Sequence, residues 1–220
     1  FGLFGPGGAG KTTILRILSG LVSPTTGVAT CAGLDLRTAP AVARARLGYV
    51  SQKFSLYGEL SIAQNLRFFA AAYRVERRRR GERVDRLLAE FGLEAHADVR
   101  AGELPPGLRQ RLALAASLVH EPGIVLLDEP TAGVDPLTAH DIWRRIGALA
   151  GSGVAVVVAS RFLDEAEYCD RLLLIYRGRS IAAGRPDELT APSTDGGDGH
   201  ATIEDAFVAL IGDVERRRAA

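Results

Sequence analysis

The chain has 220 residues, 47% of them hydrophobic and 24% charged, which is the make-up of an ordinary globular protein long enough to bury a full core. Its 27 basic and 26 acidic residues leave a formal charge of +1, so no global field draws it to nucleic acid or anionic lipid, and no nucleic-acid partner is expected. No apolar run reaches the roughly 18 residues needed to cross a bilayer, and the two cysteines, Cys31 and Cys169, lack the paired spacing of a zinc or redox site and read as inert buried thiols.

Methionine is absent and Phe1 already falls inside an apolar strand pattern, so a segment of a longer protein is expected. Residues 1–4 read as a short strand and residues 5–10 as a glycine-rich loop. Ile14, Leu15, Ile17 and Leu18 then mark a helix over residues 11–19 that stops at Gly20. Residues 27–36 alternate short β-prone pieces with turns, and residues 47–51 read as another strand. Ser61, with Gln64 three positions on, has the pattern of a capping box opening a helix that runs through Phe69 to Tyr73. Val84, Leu87, Leu88 and Phe91 lie on one face of a second helix ended by Gly92. The arginine run at residues 77–80 reads as a solvated turn between the two. Residues 54–113 are therefore expected to form a helical lobe inserted in an α/β core made of residues 1–53 and 114–190.

That core resumes with a helix over residues 108–119 and a continuously apolar strand over 124–127. A further helix starts with Asp135 as cap and Pro136 as first helical residue. Continuously apolar strands followed by helices predict a mostly parallel sheet covered on both faces. A strand over residues 154–159 and a hairpin over 172–183 turning at Arg177 and Gly178 complete it. Residues 193–199 read as a polar linker to a short terminal helix near 203–211, so that residues 191–220 are linker and helix.

Gly5, Pro6, Gly7, Gly8, Ala9, Gly10, Lys11 and Thr12 fit G-x-x-x-x-G-K-[ST] between a strand and a helix, the context that this motif requires. The glycines let successive N–H groups turn inward around a β-phosphate, the helix N-terminus adds partial positive charge, and Lys11 sets a full charge between the β- and γ-phosphates. Thr12 is placed to ligate Mg²⁺, and Thr13 is grouped with it among the nucleotide-binding residues. A phosphate loop alone leaves kinases, GTPases and ATPases open. The strand over residues 124–127 ends in Asp128, which can hold the magnesium shell, and Glu129, which can face the γ-phosphate and polarise a water.

Residues 5–170 resemble ABC transporter nucleotide-binding domains through several motifs in fixed order. Tyr49, Val50, Ser51, Gln52, Lys53 and Phe54 look like the family's Q-loop, and Leu104, Pro105, Pro106, Gly107 and Leu108 stand where its LSGGQ signature belongs. Asp128, Glu129, Pro130 and Thr131 match the Walker B end, and residues 132–135 the D-loop. Residues 164–167 and 169–171 are similar to the stretch after the switch histidine. The resemblance implies an α/β fold with a P-loop NTPase (RecA-like) core, a mostly parallel sheet, a small N-terminal β portion and an inserted helical subdomain. It implies ATP and Mg²⁺ as cofactors, ATPase activity coupled to transport, and Gln52 touching Mg²⁺ or the attacking water. It also implies a transmembrane permease subunit docking on the stretch from Phe54 to Leu60, and a second cassette, identical or not, whose nucleotide is met in trans by Gly107. Residues 52–66 and 202–207 resemble the exporter branch that includes drug-efflux ATPases, which places the protein peripherally on the cytoplasmic face of the membrane.

Two departures from the family pattern bear on the activity. Pro105, Pro106 and Leu108 replace the signature's serine, first glycine and glutamine, removing one hydroxyl and two backbone donors. Arg161 stands at the switch position, where the family has histidine, and is a candidate catalytic residue. Both are expected to slow turnover. The rival readings are a nucleotide-regulated module that scarcely hydrolyses and a soluble ABC ATPase outside transport.

Overall fold

A six-stranded sheet organises the chain in a computed structural model that describes residues 1–190 and 202–219. In chain order the elements are β1 (Gly2–Phe4), α1 (Lys11–Leu18), the short strands β2 (Thr30–Cys31) and β3 (Leu34–Asp35), α2 (Pro40–Arg44) and β4 (Leu47–Val50). Three helices follow, α3 (Ile62–Ala72), α4 (Arg80–Glu90) and α5 (Pro106–Ser117). Then come β5 (Ile124–Asp128), α6 (Pro136–Gly151), β6 (Ala155–Ser160), β7 (Leu172–Tyr176), β8 (Arg179–Gly184), α7 (Pro186–Leu189) and α8 (Ile203–Ala219). The strand order is β4-β5-β6-β1-β7-β8, parallel throughout except for the hairpin partner β8, while β2 and β3 pair separately. The mostly parallel sheet with a small β portion is as expected.

Alternation along the strands divides the core between the two faces of the sheet. Phe4, Val125, Leu127, Val158, Leu172 and Leu174 join one buried cluster with α3, α4, α5 and α6. Leu3, Leu126, Ala159 and Ile175 join another with Leu15 of α1 and with Cys31 and Leu36 of the small β portion. The helical segment has no separate core, since its Leu66, Leu87 and Leu112 belong to the first cluster.

The local signals work as their chemistry dictates. Ser61 Oγ accepts from Gln64 N–H at 3.2 Å while Gln64 Oε1 accepts from Ser61 N–H at 2.9 Å. Asp135 caps α6 by accepting from Thr138 N–H at 3.0 Å. Arg177 and Gly178, with φ of 48° and 75°, make the tight turn between β7 and β8.

Several boundaries differ from the sequence reading. The first strand is Gly2–Phe4, and although the Phe1 backbone nitrogen still donates to Val156 O at 3.0 Å, the Phe1 side chain is exposed. Helix α5 starts at Pro106, because a proline at the first helical position lacks only an N–H that the helix would leave free. Arg77–Arg79 forms a 3₁₀ turn and Arg80 already opens α4, its Nε donating to Val75 O at 2.7 Å. The terminal helix extends past Gly212 to Ala219, and the expected linker at 193–199 lies outside the described residues. Cys31 and Cys169 are free and buried, and burial pushes the Cys169 thiol up to about 11.

Candidate functional site

Four adjacent parallel strands end on the same edge of the sheet, and each is followed at once by a residue singled out from the sequence. The loop after β1 holds residues 5–10, the loop after β4 holds Gln52, β5 ends in Asp128 and leads to Glu129, and β6 leads to Arg161. Carboxyl ends of parallel strands are where open α/β sheets bind ligands, because loops diverge there and leave a crevice. Gly7, Gly8, Ala9, Gly10, Lys11, Thr12 and Thr13 line one cleft of about 230 Å³ together with Gln52, Glu129 and Arg161.

The phosphate loop is fixed by a close approach at Gly5, by backbone hydrogen bonds and by the Lys11 side chain. Gly5 has φ of 156°, and a Cβ there would stand 2.1 Å from Ile175 O at the end of β7. Gly10 precedes α1 with φ of 108°, a conformation that L side chains rarely adopt. Behind it, Gly178 N–H donates to Ala9 O at 3.0 Å, so the β7–β8 turn props the loop from below. Lys11 is buried and folded back, donating to Gly5 O at 2.7 Å and Pro6 O at 3.1 Å. Burial holds its pKa below the usual lysine value, against the opposing pull of Glu129 and Asp128.

The two carboxylates are held differently. Asp128 Oδ1 accepts from Thr12 Oγ1 at 3.0 Å, and burial raises the pKa of the acid above the ordinary carboxylate value despite that hydrogen bond. Its Oδ2 is buried and has no hydrogen-bond partner among the described residues. An open carboxylate oxygen beside a threonine hydroxyl suits a hard divalent cation. No group of three or more His, Cys, Asp or Glu that could hold a metal alone occurs among the described residues, so such a cation would take its other ligands from the nucleotide or from water.

Glu129 is buried with φ of 50°, the left-handed region that a non-glycine residue occupies at some cost. Its N–H donates to Ala159 O at 2.8 Å and its Oε2 accepts from Gln52 Nε2 at 2.9 Å, so backbone and side chain are both pinned. Arg161 reaches the same oxygen with Nε at 3.8 Å, a loose pairing, while its guanidinium lies over the Phe162 ring with 5.0 Å to the centroid.

Three residues that the sequence reading did not assign complete this edge. Glu165 is buried and accepts from both the Thr131 and the Ser160 hydroxyls, and Ser160 Oγ in turn accepts from Phe162 N–H at 3.1 Å. The loop that carries Arg161 is thereby tied to the segment after Glu129. Only the acidic stretch at 164–167 hinted at Glu165, and nothing local pointed to its partners.

The structure does not bring Gly107 into the phosphate cleft. It lines a separate cavity of about 330 Å³ with Pro105, Pro106, Leu108, Gly133 and Asp135. A Cβ at Gly107 would come within 2.8 Å of Thr138 Cγ2, so any larger residue would have to displace the Thr138 side chain where α5 and α6 begin side by side.

A family model described as ABC transporter matches residues 1–132. The probable multidrug ABC transporter ATP-binding protein YbhF of Escherichia coli (strain K12) is 50% identical over 216 residues, which cover 98% of this chain and 37% of that protein. The Nod factor export ATP-binding protein I of Cupriavidus metallidurans is 40% identical over 190 residues, 86% of this chain and 63% of that protein. The chain thus spans less than two thirds of the length of either relative. Among solved structures, an ATP binding subunit of an ABC transporter superposes with a TM-score of 0.82 at 28% identity, covering 96% of this chain and 87% of that one. The dimeric ATP-binding cassette MJ0796, in a post-hydrolysis state bound to ADP and Pi, superposes with a TM-score of 0.76 at 27% identity and 84% coverage of each chain.

Proposed function

The chain belongs to the ABC transporter family, and on that premise we propose that it is an ATP-hydrolysing cassette acting as the motor of a membrane exporter. The observation that carries the reading is the convergence of a phosphate loop, Gln52, Glu129 and Arg161 on one cleft at the ends of four neighbouring strands. Backbone N–H groups of residues 7–12 cradle the phosphates, and Lys11 swings from the Gly5 and Pro6 carbonyls to the β- and γ-phosphates. Thr12 and Asp128 hold Mg²⁺, with Gln52 beside them, and the ion supplies charge neutralisation of the phosphate oxygens. Glu129 takes the proton of the attacking water, and Gln52 orients that carboxylate through the 2.9 Å bond. The division of labour follows the chain, with residues 1–53 and 114–190 holding nucleotide and residues 54–113 carrying the signature to the opposing cassette.

The partner surface is aromatic. Phe54, Tyr57 and Phe68 are exposed, and Tyr57 meets Phe68 edge-on with ring centroids 4.7 Å apart. Exposed rings of this kind suit a transmembrane subunit's cytoplasmic helix, and the exporters among the relatives favour that partner. No helix among the described residues is long and apolar enough to cross a membrane. In this reading the cassette works at the cytoplasmic face through its permease and pairs with a second cassette, as the dimeric neighbour does.

Arg161 sets the rate. Its guanidinium competes with Gln52 for Glu129 Oε2, the oxygen that must face water, and a permanently charged fork also retains released phosphate. Arg161→His should raise steady-state phosphate release by about tenfold, equivalent to about 1.4 kcal/mol of barrier. The comparison is made between matched full-length proteins with the membrane partner present. A slower histidine variant would mean that the arginine serves the transition state, and no phosphate release from either would favour a nucleotide-regulated module.

A further inference from the structure

The docking stretch and the signature are joined by a short backbone ladder. Gly102 N–H donates to Gly58 O at 2.9 Å, Ala101 N–H to Leu60 O at 2.9 Å, Ile62 N–H to Val99 O at 3.1 Å and Ala63 N–H to Ala97 O at 2.9 Å. Ser61 and Arg100 pair as an isolated antiparallel bridge. The two strands of this ladder touch at Gly58 and Gly102, where a Cβ on Gly102 would stand 3.2 Å from Gly58 O. The 3₁₀ turn Ala101–Glu103 leads directly to Leu104 and the start of α5. On the outer side, Arg109 Nη2 donates to Gly102 O at 2.6 Å, and its guanidinium lies over the Phe54 ring at 5.7 Å.

Asn65 sits beneath the docking side of this ladder, fully buried on α3. Its Oδ1 accepts from Tyr57 N–H at 3.0 Å, and its Nδ2 lies 2.9 Å from Tyr57 O, 3.1 Å from Leu60 O and 3.0 Å from Ser61 O. An amide has two N–H groups and one carbonyl oxygen, so three carbonyls share two hydrogens, both donors are used and the oxygen is engaged as well. The polar side chain is therefore not filling core space: it holds an irregular backbone in one shape.

We propose that Asn65 is a positioning residue that couples the docking stretch to the signature, so that a push on residues 54–60 moves residues 101–108 as one piece. The Asn65 clamp makes the stretch rigid, the ladder transfers its displacement, and the start of α5 receives it. The inference rests on the motor reading for its purpose, since it assigns the two ends to a membrane partner and to an opposing nucleotide.

The test uses the full-length protein carrying Glu129→Gln, so that ATP-bound dimers persist, with and without Asn65→Ala. Amide exchange should quicken at least about tenfold at residues 97–104 together with residues 57–63. The monomer's affinity for MgATP should stay within about twofold, because the phosphate loop is untouched. The ATP concentration for half-maximal dimer should rise about tenfold, the weight of a single charge-assisted hydrogen bond between signature and nucleotide. Faster exchange confined to residues 57–63, or an unchanged dimer midpoint, overturns the proposal. Should Asn65→Ala fail to fold, Arg109→Gln loosens the ladder from its exposed side, and exchange must then rise at residues 57–60 as well as 101–108; a change limited to the latter is equally fatal. If the parental protein forms no dimer with MgATP, the cassette reading fails, while the exchange pattern still decides the coupling.

Discussion

Glu129→Gln should lower the rate of ATP hydrolysis by about 10²–10⁴-fold, the range that a positioned general base contributes. The substitution is nearly isosteric, and a glutamine oxygen can still accept from Gln52 Nε2, so the cleft should keep its shape. Only the ability to take a proton is lost. MgATP should bind with parental affinity, and dimer should accumulate because the step that opens it is blocked. Single-turnover phosphate release and size-exclusion chromatography with MgATP check the two halves separately. Hydrolysis at the parental rate would remove Glu129 from the mechanism and shift attention to Gln52 as the group orienting water.

Lys11→Ala should weaken MgATP binding by about tenfold to a hundredfold, since a charge-assisted hydrogen bond contributes about 1.5–3 kcal/mol and 1.4 kcal/mol is a factor of ten. A second effect acts in the nucleotide-free state, where the ammonium now holds the Gly5 and Pro6 carbonyls. Removing it frees the loop, so part of the fall in affinity should reflect the ordering of residues 5–10 on binding. The loop cannot collapse far, because Gly5 against Ile175 O and Gly178 N–H on Ala9 O still pin its two ends. Calorimetric titration measures the affinity. Thermal melting without nucleotide should show little change, and a large fall in Tm would mean that Lys11 is mainly a structural cross-brace.

What could be read from the sequence was what is local. The phosphate loop announces itself because close backbone approach admits only glycine at Gly5, and the following helix must begin at once. The Ser61 cap was legible because Gln64 stands three positions on, and the Asp135 cap because Pro136 follows it as the first helical residue. Helix α2, of five residues with no apolar period, was not read, since its geometry depends on what it packs against. Nor did the sequence reading set a strand order, which depends on pairing between distant segments. The same holds for the site: Lys11, Thr12, Asp128 and Glu129 stand in short motifs, whereas Glu165 acquires its role only when Thr131 arrives from the loop after β5 and joins Ser160 at the end of β6. Asn65 was hidden in an amphipathic helix, where one polar residue looks like an ordinary surface position.

The placement of β1 between β6 and β7 also governs how the protein is made. The first strand of this chain pairs with residues 158–160 and 172–174, so its hydrogen bonds span most of the sequence. Pairings of such long range close late, because a large loop of chain must lose its freedom before any of them forms. The phosphate loop leaves β1 and is propped by the turn at residue 178, so a nascent chain that stops short of that turn has the whole G-x-x-x-x-G-K-T sequence but lacks the Gly178 N–H that props Ala9. Nucleotide can then act as a folding ligand only once that turn has been made. Truncation at residue 170 should abolish MgATP binding, although every motif up to the switch has already been translated.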